Sequence, residues 1–468
     1  MIRLINSLLS PRTPYTLTYM LQQSDYSNNL LLRWLLRNPT LQEVQRRGTL
    51  VQTGRAKINL LVSYVGWSIP LALGLLLSIY QDPWWILLVL LTSAVSLATL
   101  LLTNMLVQPV VDHTFKKEVH RARIKLTSMD AIKIAVIGSY GKTTTKEILA
   151  TILSTEKKVA ATPKNKNVLI SHARWINELN GNEEILIFEY GEARPGDIAK
   201  MADLSQPDIA IITGVAPAHM EDYGSLDAIA KDFATIIDYA KQSVYVNADS
   251  LLLEQYAQES KTYNANHADQ WLIKDVTQTI TNTSFRMQKN KTQLELSSKL
   301  IGGHLVGSLG LCVTIAHSLG IQPESIIDGV AKTKPFEHRM QPYKLCGAWV
   351  IDDTYNGNIE GMRAGLALLK ELQSKRKIYV TPGLVEQGNE AVSVHKELGR
   401  LIADASPDKV VLMQNSVLPY IKQGLSDHKY DGDVTIVDNP LTFYQNLQFF
   451  VANGDLVLMQ NDWPDSYH

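Results

Sequence analysis

Residues 131–153 read AIKIAVI-GSYGKTTTKE-ILATIL, and this stretch decides the fold. Ala131–Ile137 is an apolar run without charge except Lys133, which reads as a buried strand. Gly138-Ser139-Tyr140-Gly141 is a turn, and Lys142-Thr143-Thr144 opens a helical pattern extending to about Leu153. Strand, glycine turn, GKT and helix together predict a phosphate-binding loop. The backbone N–H groups of Gly138, Ser139 and Gly141, with the helix N-terminus, surround phosphates; Lys142 reaches the terminal ones, the Thr143 hydroxyl binds Mg2+, and Thr144 follows in the same turn. The fit to GxxxxGK[ST] is imperfect, because Val136 occupies the first glycine position.

Upstream, the composition changes. Residues 1–57 carry eight Lys/Arg and two acids, 58–111 carry only Asp82, and 112–125 carry five basic and two acidic residues. The first 125 residues therefore sum to +8 and the remaining 343 to -9, within a net charge of -1. No basic excess marks the whole chain, so a nucleic-acid partner is not expected. Residues 58–81 and 83–111 are uncharged runs of 24 and 29 residues. About 20 apolar residues span a bilayer core, so these runs predict a transmembrane hairpin with the lipid bilayer as partner. Basic flanks place the outer ends, and the catalytic domains, in the cytoplasm: a two-pass protein of the cytoplasmic membrane. Residues 30–48 mix Leu, Trp and Arg and suit an interfacial amphipathic segment or an ordinary packing helix. Only Cys312 and Cys346 occur, too few for a disulfide framework, and both read as buried structural thiols.

Downstream motifs carry a family resemblance. GSYGKTTTKE (138–147) resembles the GSNGKTTTKE loop of the Mur ligases, the ATP-dependent amide-forming enzymes of peptidoglycan precursor synthesis. TPKNKN (162–167), FEYGEARPGDI (188–198), ITGVAPAHMEDYGSLDAIAK (212–231), GGHLVG (302–307), HRM around Arg339, IDDTYNGN (351–358) and PGLVEQGNEAVSVHKELG (382–399) resemble further family segments in the same order. IDDTYNGN points to the D-alanyl-D-alanine-adding branch.

The resemblance implies an acyl-phosphate mechanism with ATP and Mg2+ as cofactors, and a peptidoglycan precursor and an amino acid or dipeptide as partners. It implies Lys142, His219 and Arg339 as catalytic residues. Thr143, Glu189 and His219 would be metal ligands, while Arg339, Asp353 and Asn356 join the loop residues in holding nucleotide. Lys166, Asn167 and Asn358 fall where the family reads substrate or nucleotide, and His395 suits a structural or a substrate-proximal role. Three departures stand out. The family's carbamylated lysine aligns with Phe233; Lys231, two residues earlier, faces the other side of a helix. Leu305 and Ser308 replace the asparagines of the G-x-H-N-x-x-N element. The usual uridine-nucleotide-binding N-terminal domain is absent.

The expected architecture is α/β. A basic amphipathic segment (1–57), a transmembrane hairpin (58–111) and a basic juxtamembrane linker (112–125) precede a central P-loop ATPase domain with a mostly parallel sheet (126–333). A C-terminal Rossmann-like, doubly wound domain follows (334–468). The expected function is a membrane-anchored, ATP-dependent amide ligase of the D-Ala-D-Ala-adding type. Two alternatives fit the same residues: an ATP-binding, ligase-derived scaffold without turnover, motivated by Phe233, and a membrane P-loop ATPase of another task.

Overall fold

The computed structural model describes residues 10–38, 49–163, 166–192, 194–217, 220–258, 260–355, 357–384, 387 and 390–461. The chain divides into two compact units, Met1–Lys117 and Glu118–His468.

The described residues of the first unit are helical and contain no strand. Helices α1 (Thr13–Gln23) and α2 (Asn28–Arg37) precede two long ones, α3 (Gly54–Tyr80) and α4 (Thr92–Thr127), which are separated by a 3-10 stretch over Pro83–Leu91. The side chain of Ser27 accepts a hydrogen bond from Leu30 N and starts α2. Leu17, Leu21, Leu31 and Leu100 bury one another. Small side chains let α3 and α4 approach closely: Ser63 Oγ and Ser96 Oγ lie 2.8 Å apart, and a Cβ on Gly66 would fall 2.2 Å from Thr99 Oγ1. The linker expected over 112–125 is helical and continues α4. Its basic residues sit on helix turns, because alternating charge without Gly or Pro does not break a helix. Of the amphipathic stretch at 30–48, residues 30–37 lie in α2 and 39–48 lie outside the described residues.

In the second unit the P-loop strand is β1 (Ile132–Ile137), followed by α5 (Lys142–Leu153), β2 (Val159–Ala161), α6 (Leu169–Glu178), β3 (Ile185–Glu189), α7 (Asp197–Ser205), β4 (Ile209–Ile212) and α8 (Leu226–Ala234). Next come β5 (Ser243–Asn247), β6 (Lys261–Tyr263), β7 (His267–Ala268), β8 (Trp271–Gln278), β9 (Thr283–Lys289), β10 (Thr292–Ser298), α9 (Val306–Ser318) and α10 (Pro323–Lys332). The sheet order is β10-β9-β8-β7-β6-β5-β4-β1-β3-β2. From β2 to β6 all neighbours are parallel; β7 to β10 add an antiparallel meander. The mostly parallel sheet expected is found over the six strands from β2 to β6, which carry the P-loop, and the antiparallel meander adds to it. Strands β1, β3 and β4 are apolar on both faces because helices cover both: Ile134 and Val136 pack toward α5 and α9, and Ala135 and Ile137 toward α6 and α7.

A second sheet follows, with β11 (Gln341–Leu345), β12 (Ala348–Asp353), α11 (Ile359–Glu371), β13 (Arg376–Thr381), α12 (Ala391–Ala405), β14 (Lys409–Met413), α13 (Leu418–Asp427), β15 (Asp433–Val437) and β16 (Asp455–Gln460). Its order is β11-β12-β16-β13-β14-β15, parallel except at the β11–β12 edge. Cys312 is buried as expected, but Cys346 is exposed. It occupies the β11–β12 turn at φ 49°, where the side chain has no core to enter.

Candidate active site

Three neighbouring strand ends build the site, at the carboxyl edge where α/β sheets place ligands. Val136 of β1 is in register with Glu189 of β3, and Ile137 with Ile212 of β4. The turn after β1 is pinned to the end of β4: Ser139 N donates to Gly214 O (2.8 Å), and Thr213 Oγ1 donates to Ile137 O (3.1 Å) and to Tyr140 O. Gly138 has φ 144°, and a Cβ there would lie 2.1 Å from Thr213 Oγ1, so the turn demands glycine. Gly141, at φ 75°, stands before the first residue of α5. Ser139 Oγ is buried with no protein partner.

Two consecutive loop residues each face a carboxylate. Lys142 Nζ donates to Glu192 Oε1 and Oε2 (2.9 and 2.7 Å) and to Gly138 O, with side chains only 12% and 6% exposed. Thr143 Oγ1 donates to Glu189 Oε1 at 2.9 Å. The other oxygen of Glu189 is buried without a hydrogen bond, 3.1 Å from Nζ of fully buried Lys146 but outside hydrogen-bond geometry. Lys146 also donates to Thr162 O (2.7 Å), while Thr162 Oγ1 accepts from Glu189 N (3.0 Å), so β2 and β3 are tied to α5 behind the loop. Thr143, Glu189 and the orphaned Glu189 oxygen are hard oxygen donors, a set that fits Mg2+.

His172 fixes the strand end from below, its Nε2–H donating to Glu189 O at 2.9 Å. Burial lowers its pKa from 6.5 to about 4, so the ring is neutral in the fold. A depressed histidine contributes stability that is present above pH 6.5 and lost as pH falls toward 4. Urea denaturation is expected to show a loss on the order of 2 kcal/mol across that window, flattened in His172→Gln.

The loop opens on a cleft of about 450 Å³. Its lining includes Tyr140, Gly141 and Thr144 of the loop, His304, Leu305 and Ser308 around the start of α9, and Arg339, Asp353, Tyr355 and Asn358 flanking or ending the first strands of the second sheet. Arg339 lies over the Tyr355 ring, 4.4 Å from its centroid. Asp353, at the end of β12, accepts from Met340 N (3.2 Å) and Gln460 Nε2 (2.8 Å), and burial raises its pKa to about 6.

Several sequence-derived candidates have other surroundings. Asn358 caps α11, accepting from Gly361 N at 2.9 Å. His395 is fully buried and bridges backbone groups, Nδ1 donating to Ala391 O (2.5 Å) and Nε2 accepting from Leu384 N (2.9 Å), a structural histidine. Lys166 is exposed, and Asn167 O accepts from Gly191 N at 2.7 Å. Phe233 is fully buried in the core beneath the site, while Lys231 is exposed on the opposite face of α8. His219 and Asn356 lie outside the described residues. Lys146, Glu192, His172 and Tyr355 escaped the sequence reading. Lys146, Glu192 and Tyr355 stand inside motifs already quoted, where the spacing marks other positions.

The Mur ligase middle domain matches residues 136–315, and the Mur ligase glutamate ligase domain matches residues 338–460. The UDP-N-acetylmuramoyl-tripeptide–D-alanyl-D-alanine ligase of Bacillus subtilis is 28% identical over 358 residues, covering 75% of this chain and 77% of its own length. The protein of that name from Mycobacterium tuberculosis is 27% identical over 294 residues, and only 58% of its length is spanned. Among solved structures, the MurF ligase of Thermotoga maritima in complex with ADP aligns at TM-score 0.66 and 25% identity over 74% of this chain and 80% of that one. MurF of Acinetobacter baumannii aligns at 0.66 and 21%, covering 74% and 77%.

This likeness overturns the expected two-pass location at the cytoplasmic membrane. The curated relatives are named for a UDP-linked precursor, a charged and water-soluble molecule. Helix α3 and the segment Pro83–Thr127 are long and apolar enough to cross a membrane by length and composition only, a test that the core helix of a soluble protein also passes.

Proposed function

The chain belongs to the Mur ligase family, whose members are ATP-dependent, Mg2+-requiring ligases of peptidoglycan precursors, and on that premise we propose that it joins D-alanyl-D-alanine to a muramoyl-peptide carboxylate. The observation that carries this reading is the pairing of two consecutive P-loop residues with carboxylates, in a loop whose Tyr140, Gly141 and Thr144 line one cleft with Arg339 and Asp353.

In this reading Lys142 neutralises the terminal phosphates, while loop N–H groups and the unpartnered Ser139 hydroxyl accommodate the rest. Thr143 and Glu189 hold Mg2+, which when bound offsets phosphate charge. Arg339 faces phosphate, its guanidinium braced on Tyr355, and Asp353 faces ribose. Leu305 and Ser308 give the base an apolar wall and a short hydroxyl where the family has amides. His219 and Asn356 take the metal and nucleotide roles their motifs imply. An acceptor carboxylate oxygen attacks the γ-phosphorus and ADP leaves. The dipeptide nitrogen then attacks the acyl carbon, phosphate departs with the former carboxylate oxygen, and the nitrogen loses a proton. Positioning two anions is the main demand, met by Lys142, Arg339 and metal.

The test is incubation with ATP, Mg2+, UDP-MurNAc-tripeptide and D-Ala-D-Ala, with mass spectrometry of the acceptor. A product heavier by one dipeptide less water is expected; ATP binding with no product from any muramoyl acceptor would sink the proposal. That second outcome is what a ligase-derived scaffold predicts, a reading favoured by the burial of Phe233 where a metal-binding lysine would stand.

A further inference from the structure

Glu192 has no place in the roles above, yet it is the best-held carboxylate at the phosphate loop. It lies three residues beyond Glu189, past the end of β3, and is 6% exposed. Both its oxygens accept from Lys142 Nζ, at 2.9 and 2.7 Å. Glu189 and Glu192 thus address adjacent loop residues, Thr143 and Lys142. Around them each carboxylate already has an ammonium beside it: Glu189 lies 3.1 Å from Lys146, which Glu147 also approaches at 3.3 Å, and Glu192 holds Lys142. Asp232, on α8, adds further negative charge nearby; it accepts from Tyr223 OH (2.8 Å) and from Gly196 N (2.7 Å).

A nucleotide triphosphate brings several more negative charges to Lys142 and competes with Glu192 for it. A carboxylate freed beside phosphate oxygens is tolerable only with a cation between them. The position that would supply a carbamate ligand is closed, because Phe233 is fully buried in the core and a lysine there would have to displace that packing.

We infer that Glu192 exchanges Lys142 for a second divalent cation when nucleotide binds, supplying the anionic ligand that Phe233 cannot. The inference rests on the ATP-site reading above. Two carboxylates three residues apart then hold two ions along one triphosphate, and Lys142 is released to the phosphates at the same step.

The experiment counts Mn2+ by electron paramagnetic resonance on the full chain with a non-hydrolysable ATP analogue, whose own binding is followed by calorimetry. The unsubstituted chain is expected to hold about two Mn2+ and Glu192→Gln about one, with the analogue still bound. Glu192→Asp keeps the charge on a shorter arm and is expected to retain the second ion about tenfold more weakly, a graded effect that a folding defect would not give. A single ion in the unsubstituted chain, or two in Glu192→Gln, overturns the inference and leaves the ATP site standing. Failure of the unsubstituted chain to bind the analogue overturns both.

Discussion

Lys142→Met is expected to lower kcat for amide formation by about a thousandfold or more, because no other described cation contacts the P-loop turn as Lys142 does. The substitution also strands Glu192 with little solvent access, so stability should fall by about 2 kcal/mol. The double variant Lys142→Met, Glu192→Gln separates the two effects. It should recover stability in urea without recovering turnover. Return of turnover together with stability would mean that Lys142 serves the fold rather than the phosphates.

Glu189→Ala carries the second large effect, and here stability is the more informative readout. Lys146 is fully buried, and Glu189 is the nearer of two carboxylates, at 3.1 Å against 3.3 Å for Glu147. Removing it leaves a desolvated ammonium with its weaker, partly exposed partner, a change that costs about 3 kcal/mol for buried pairs. The exposed pair Arg123–Asp203, whose side chains are 49% and 52% exposed, should contribute well under about 1 kcal/mol by the same measurement. Adding Lys146→Met to Glu189→Ala should restore most of the loss. Mg2+-dependent turnover should stay depressed by about a hundredfold in both, since Thr143 then has no carboxylate opposite it. An unchanged urea midpoint for Glu189→Ala would show that Lys146 is neutralised elsewhere.

The P-loop half of the central sheet was legible because its strands are short apolar runs that end in glycine or carboxylate, and their ends are where ligand groups gather. The antiparallel meander β8–β10 was not. Thr283–Lys289 and Thr292–Ser298 alternate buried positions with part-buried or exposed ones, and Trp271–Gln278 is mostly exposed beyond Ile273, a half-solvated pattern that carries no motif and resembles any polar surface strand. Residue type and spacing marked Lys142 and Thr143, because a phosphate loop needs them there, and the family resemblance marked Glu189. Partners were invisible: nothing in the sequence says that Glu192 reaches Lys142, or that Asn358 spends its side chain on a helix cap. His395 shows the same limit, since only the two backbone groups it bridges assign it to the fold. The apolar runs at 58–81 and 83–111, expected to form a transmembrane hairpin, fall in α3 and in a 3-10 stretch that leads into α4, and length and hydropathy do not identify what covers them.

The most direct test of the ligase account follows one oxygen atom. With the acceptor carboxylate labelled with 18O, turnover of ATP and D-Ala-D-Ala through an acyl phosphate must deliver one label to each phosphate released, and only when the dipeptide is present. Phosphate released without label, or at the same rate without dipeptide, would contradict it.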